Sequence, residues 1–119
     1  MDSLENEDTN LNDEEKSQTE KQNIYNEALK EICLLLSKMN DEQEILDFFG
    51  CLFTKPELQD FSKRWCLVKE LDKGVTQREI AKKYSMSLCN ITRGSKELRK
   101  EDSAFRKALK MIEEIKKND

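Results

Sequence analysis

The chain has no histidine, one proline (Pro56), three glycines and one tryptophan among its 119 residues. Without histidine there is no imidazole base and no mixed cysteine–histidine zinc site. Cysteine does not replace it: Cys33, Cys51, Cys66 and Cys89 stand 18, 15 and 23 residues apart, with no Cys-x-x-Cys pair. Each lies in an apolar-periodic stretch and reads as a reduced core thiol. Cys89 is the exception, because its place early in a helix could face a nucleic acid. No nucleophile–base pair and no metal cluster is visible, so neither an enzyme nor a metal protein is expected, and no cofactor. No apolar run is long enough to span a bilayer, and the acidic N-terminus lacks the basic and apolar regions of a signal peptide. A cytoplasmic protein with no membrane partner is expected.

Charge, by contrast, is abundant. Charged residues make up 39% of the chain and hydrophobic residues 36%. A monomeric core would be thin, and small helical chains of this kind often complete their core by oligomerising. The formal net charge of −4 conceals a strong asymmetry. Residues 1–21 carry eight acids against two lysines, a net of −6, whereas residues 63–110 carry a net of +8. A basic segment of this kind is the electrostatic footprint of a phosphate binder.

Residues 1–21 are polar, acidic and aperiodic, so they are expected to form a disordered arm ahead of a helical domain over 22–119. From Ile24 the pattern becomes helical, with Ile24, Ala28, Ile32, Leu35, Leu36 and Met39 in one stripe. Asn40 can cap a second helix through Ile45, Leu46, Phe49 and Leu52. There Phe48, Phe49, Leu52 and Phe53 crowd more apolar surface than one helix buries alone. Pro56 suits the first turn of a third helix, which carries Leu58, Phe61, Trp65, Val68 and Leu71 and stops at Gly74. A last helix, capped by Asp102 or Ser103, carries Phe105, Ala108, Leu109, Ile112 and Ile115. Between these two lies a further pair, which makes six helices and an all-α fold.

That pair, residues 76–98, is the most informative stretch. Thr76 and Glu79 have the spacing of a capping box, and Ile80, Ala81 and Tyr84 share one helical face. Ser85-Met86-Ser87 breaks the pattern, and Ser87 can cap a second helix carrying Leu88, Ile91 and Leu98. A scaffold helix, a short turn and a second helix make up a helix-turn-helix. Leu88, Cys89, Asn90 and Thr92 open the second helix and are candidates for base readout, since Asn can pair with adenine and Leu can meet a thymine methyl. Arg78, Lys82, Lys96 and Arg99 are candidates for phosphate contacts.

The run Ile91-Thr92-Arg93-Gly94-Ser95, together with Gln77-Arg78-Glu79 and with Thr54 and Arg64 upstream, resembles the bacterial Trp repressor family over residues 24–115. Gly94 itself is informative. It is the eighteenth residue counted from Gln77, a position that helix-turn-helix motifs usually fill with a buried aliphatic side chain. Glycine inside a helix costs on the order of 1 kcal/mol relative to alanine. Either a neighbouring helix packs tightly there, or a flat ligand fills the space between Arg64 and Arg93. Guanidinium planes stack on aromatic rings and bind carboxylates, and an amino acid with an indole ring offers both groups.

The resemblance implies the second arrangement, with L-tryptophan as corepressor. It implies a ring between Arg64 and Arg93 over Gly94, and a carboxylate bonded to Thr54. It also implies an ammonium held by backbone carbonyls near Cys51 and Phe53 of a second subunit in an intertwined homodimer. Bound ligand would then prop the recognition helices to fit operator DNA and repress genes of tryptophan biosynthesis or uptake. The chain departs from the family at Glu97, where the family usually has a serine that also helps hold the ammonium. The linker 74–76 is one residue shorter than the family norm, and Pro56 stands one place later. Two alternatives accompany this reading: a Trp-repressor-like regulator without a tryptophan response, and a helical adaptor whose basic face meets an acidic protein.

Overall fold

The computed structural model describes residues 12–118. Six helices make up its regular structure: α1 Asp13–Lys38, α2 Glu42–Leu52, α3 Lys55–Asp72, α4 Gln77–Tyr84, α5 Leu88–Arg99 and α6 Ala104–Lys117. No strand occurs among the described residues. The chain divides into two units, Met1–Phe49 and Gly50–Asp119.

In the first unit, α1 starts well before the apolar stripe that opens at Ile24. Asn12 Oδ1 accepts the Glu15 amide at 2.7 Å, and Asp13, Glu14 and Glu15 place negative charge at the positive end of the helix dipole. The expected disordered arm 1–21 is therefore helix from Asp13 onward, and residues 1–11 lie outside the described residues. The α2 cap also differs from the expected Asn40: Asp41 Oδ1 accepts the Gln43 amide at 3.1 Å. No residue of α1 or α2 is buried. Ile24, Tyr25, Leu29, Leu34, Leu35 and Leu46 are exposed, so these stripes form open apolar faces on the single chain. Cys33 is exposed with them, as are Cys51 and Cys89 in the second unit; only Cys66 is half-buried. The expectation of core thiols thus fails for Cys33 and Cys51 in the single chain, whereas Cys89, the expected exception, is exposed.

The second unit is organised by local chain chemistry. Thr54 caps α3 through a reciprocal box: its hydroxyl accepts from Glu57 N at 3.3 Å, while Glu57 Oε1 accepts from Thr54 N at 2.9 Å. These bonds hold the exposed Glu57 carboxyl below its usual range, the Thr54 backbone bond contributing most. Gly74 ends α3 at φ +87°, where Val75 N reaches Glu70 O at 3.1 Å and Gly74 N reaches Leu71 O at 3.1 Å, a Schellman closure. Thr76, Ser87 and Ser103 cap α4, α5 and α6 through their hydroxyls. Helix α3 packs against α4 and α5, and α5 also packs against α4 and α6. Their shared core is Leu67, Ile80 and Ile91, flanked by Leu71, Val75, Ala81, Tyr84 and Met86. Burying each of the three central side chains contributes about 1.5–3 kcal/mol. The core thus holds one rigid object, the α4–α5 pair seated on α3.

Candidate ligand cleft and DNA-reading helix

Helix α5 carries three different surfaces, separated by its own periodicity. Ile91, Gly94 and Leu98 are buried and face the core. One step round the helix, Asn90, Arg93, Gly94 and Glu97 line a cleft against Arg64, Leu67 and Val68 of α3, with Phe105 of α6 at its end. The cleft has a volume of about 70 Å³ and is partly open to solvent. Of the remaining side chains, Leu88, Cys89, Thr92, Lys96 and Arg99 point outward and are exposed, and Ser95 is half-buried. Residues three and four apart share a helical face, so one twelve-residue helix serves core, cleft and exterior at once.

The turn between α4 and α5 is made without glycine. Ser85 adopts φ 51° and ψ 46°, a left-handed conformation uncommon for a residue with a side chain. Met86 N closes the helix end on Ala81 O at 3.2 Å, and Ser87 Oγ then accepts from Asn90 N to start α5. On α4, Arg78 and Lys82 are exposed on the outer side of the pair. Lys83 is occupied differently: its Nζ lies 3.6 Å from Glu70 of α3, tying scaffold to motif. Glu70 foremost, and then Tyr84, push the Lys83 pKa up.

The site residues expected from sequence therefore fall into two groups. Arg64, Arg93, Gly94 and Glu97 come together around the cleft. Thr54, Cys51 and Phe53 do not line it; Phe53 packs on Phe61 at a centroid distance of 5.6 Å, and Cys51 is exposed. Thr54 accepts a backbone bond in its cap, which leaves its hydroxyl proton available to donate. Glu97 Oε1 receives a bond from Lys100 Nζ at 2.9 Å. That bond foremost, with the charges of Lys100 and Arg93, holds the Glu97 carboxyl below its usual range. Asn90, expected to read bases, is also a cleft residue, at the rim nearest the α5 start. Sequence reasoning missed Leu67, Val68 and Phe105 as cleft walls. The signal was present: Leu67 and Val68 stand three and four residues after Arg64, on the same helical face.

Gly94 is explained in part by packing. A Cβ there would stand 3.1 Å from Leu67 Cδ2 and 3.6 Å from Leu71 Cδ1, so a side chain at this position would need Leu67 to give by a few tenths of an ångström. Leu67 is itself only 3% exposed and has little freedom to retreat.

A capped helix pair on a helical scaffold, with an outward basic and polar face, defines a helix-turn-helix DNA-binding protein. The family model for the Trp repressor protein matches residues 27–113. A Trp operon repressor homolog of Chlamydia trachomatis serovar L2 is 40% identical over 76 residues, covering 63% of this chain and 81% of the relative. A Trp operon repressor homolog of Chlamydia caviae is 38% identical over 79 residues, covering 66% of this chain and 78% of the relative. No solved structure matches the chain significantly. The chain belongs to the Trp repressor family. It is accordingly a transcriptional repressor and not an enzyme, in a family whose effector is tryptophan rather than a metal. No helix among the described residues is long and apolar enough to cross a membrane.

Proposed function

We propose that the chain is a homodimeric, cytoplasmic repressor that binds operator DNA when L-tryptophan occupies the cleft between α3 and α5, and so controls genes of tryptophan biosynthesis or uptake. The observation that carries this reading is the meeting of Arg64, Arg93, Gly94 and Glu97 around one cleft on the inner flank of the recognition helix. Two guanidinium planes offer stacking faces and carboxylate donors, and Glu97 offers a partner for an ammonium. Within one chain Thr54, Cys51 and Phe53 are not part of the cleft lining. A second copy would supply them, and the open apolar faces of α1 and α2 give that copy surface to cover.

The recognition helix would read bases through Leu88, Cys89, Asn90 and Thr92, while Arg78, Lys82, Lys96 and Arg99 neutralise phosphates. Ligand acts as a population shift: it favours the α5 orientation that fits the major groove, and no bond is made or broken. Calorimetric titration of the full chain with L-tryptophan tests the effector, and absence of binding at millimolar ligand contradicts it. Light scattering at micromolar protein tests the assembly, where a monomer contradicts the dimer.

A second reading is favoured by one observation. Because Leu67 and Leu71 meet the space beside Gly94, the glycine is accounted for by close helix packing without a ligand. On that reading the chain is a Trp-repressor-like regulator that binds DNA without responding to tryptophan.

A further inference from the structure

Arg106, the third residue of α6, makes the longest-range side-chain reach around the recognition helix. Its backbone amide is held by Ser103 Oγ at 3.3 Å, and Ser103 is buried. From that fixed base the guanidinium turns back. Its Nε donates to the Leu98 carbonyl at 2.9 Å, one of the carbonyls at the end of α5 that have no partner within the helix. Its Nη1 lies 3.9 Å from Asp72 Oδ1, on the last residue of α3. One cation therefore joins the C-terminal ends of two helices, where the helix dipoles also favour positive charge.

These two helices are the walls of the cleft, and they meet unevenly along their length. Toward the C-terminal ends, Leu67 and Leu71 close on Gly94, and Arg106 spans Asp72 and Leu98. Toward the N-terminal end of α5, Arg64 and Asn90 border two adjoining clefts rather than a packed contact. The first of these runs along α5 from Asn90 to Glu97 and ends at Phe105, and Arg106 fastens the helix just beyond it.

We infer that Arg106 is a positioning residue: it pins the C-terminal end of the recognition helix, so that filling the cleft swings the base-reading N-terminal end. The inference rests on the ligand reading proposed above. A ligand filling a gap between two helices with one end pinned produces rotation; with both ends free it produces translation, and less of the motion reaches the bases. Arg106 does not line the cleft, so its contribution is to coupling rather than to ligand contact.

The test uses the full chain carrying Arg106→Met, which keeps the aliphatic stem and removes every donor, beside Arg106→Lys. Three quantities are read: L-tryptophan affinity by calorimetry, amide hydrogen exchange along α5, and the ratio of DNA affinities with and without L-tryptophan. Arg106→Met is expected to keep ligand affinity and to raise exchange at residues 95–99. The affinity ratio, about 5- to 150-fold for a typical allosteric coupling, should collapse toward one. Arg106→Lys, with one donor group and no planar fork, should fall between. It also provides the reading if the methionine variant does not fold. A wild-type ratio in either variant, or unchanged exchange at residues 95–99 in Arg106→Met, overturns the pin. If the wild-type protein itself shows a ratio of one, the corepressor reading fails, and the exchange pattern alone decides whether Arg106 holds the helix end.

Discussion

A Cβ on Gly94 would lie 3.1 Å from Leu67 Cδ2, so the recognition helix sits against α3 at a distance only glycine permits without movement. Replacing Gly94 with alanine sets two effects against each other. Helix propensity improves by about 1 kcal/mol, while overpacking against a buried leucine costs about 1–3 kcal/mol. Urea unfolding of Gly94→Ala should show a net loss no greater than about 2 kcal/mol, and Gly94→Val a larger one. A clear gain in stability on Gly94→Ala would contradict the close approach.

The arginine walls are tested by keeping their charge and removing their plane. Arg64→Lys and Arg93→Lys retain a cation but lose the stacking face and the two-pronged grip on a carboxylate. L-tryptophan affinity should fall by about tenfold or more in each. Arg64 belongs to α3 and is not among the outward residues of the motif, so Arg64→Lys should leave ligand-free DNA binding unchanged. Undiminished ligand affinity in both variants would remove the arginines from the site.

Most of the fold was legible in the sequence because its signals are local. Thr76, Ser87 and Ser103 are short-range caps that start their helices as expected, although at Thr76 only the hydroxyl half of the expected box forms; Thr54, expected at a helix boundary, is a fourth cap. Gly74 ends α3 in the left-handed conformation that glycine adopts freely. Misjudged elements had competing local signals. Asp13, Glu14 and Glu15 resemble an unstructured acidic arm in composition, yet they are favourable in the first turn of a helix. Asn40 and Asp41 are adjacent capping residues, and only geometry separates them. Half of the candidate site was legible, since Arg64, Arg93, Gly94 and Glu97 were named from spacing and resemblance. Leu67 shares a helical face with Arg64 in the sequence, but its meeting with Gly94, like that of Arg106 with Leu98, was not legible, because contacts between α3, α5 and α6 leave no periodic trace in the chain.

Phosphate and base contacts should separate under salt. Arg78→Ala and Lys82→Ala should each reduce the slope of log affinity against log salt by about one and weaken all DNA sequences alike. Asn90→Ala should leave that slope unchanged and cost about 1–3 kcal/mol at one base pair of the site. A uniform loss in Asn90→Ala would assign it to the cleft alone.

Glu97 supplies the pH test. Its folded-state pKa is depressed, first by the Lys100 hydrogen bond, so its favourable contribution is present above the unfolded carboxylate pKa and is lost as pH falls through the folded value. At neutral pH it is ionised and ready to meet an ammonium. In Lys100→Ala the carboxyl should titrate nearer its ordinary value of 4.5, read by NMR of the side-chain carboxyl. An unchanged titration would mean that Arg93, not Lys100, sets its charge.

The most direct measurement is the affinity of the full-length protein for DNA from its own promoter region at fixed salt, with and without L-tryptophan. Binding should tighten by about 5- to 150-fold on adding ligand, with a footprint of two related half-sites. Equal affinity in both conditions would contradict the corepressor account and leave a DNA-binding member of the family whose cleft does not gate its reading helix.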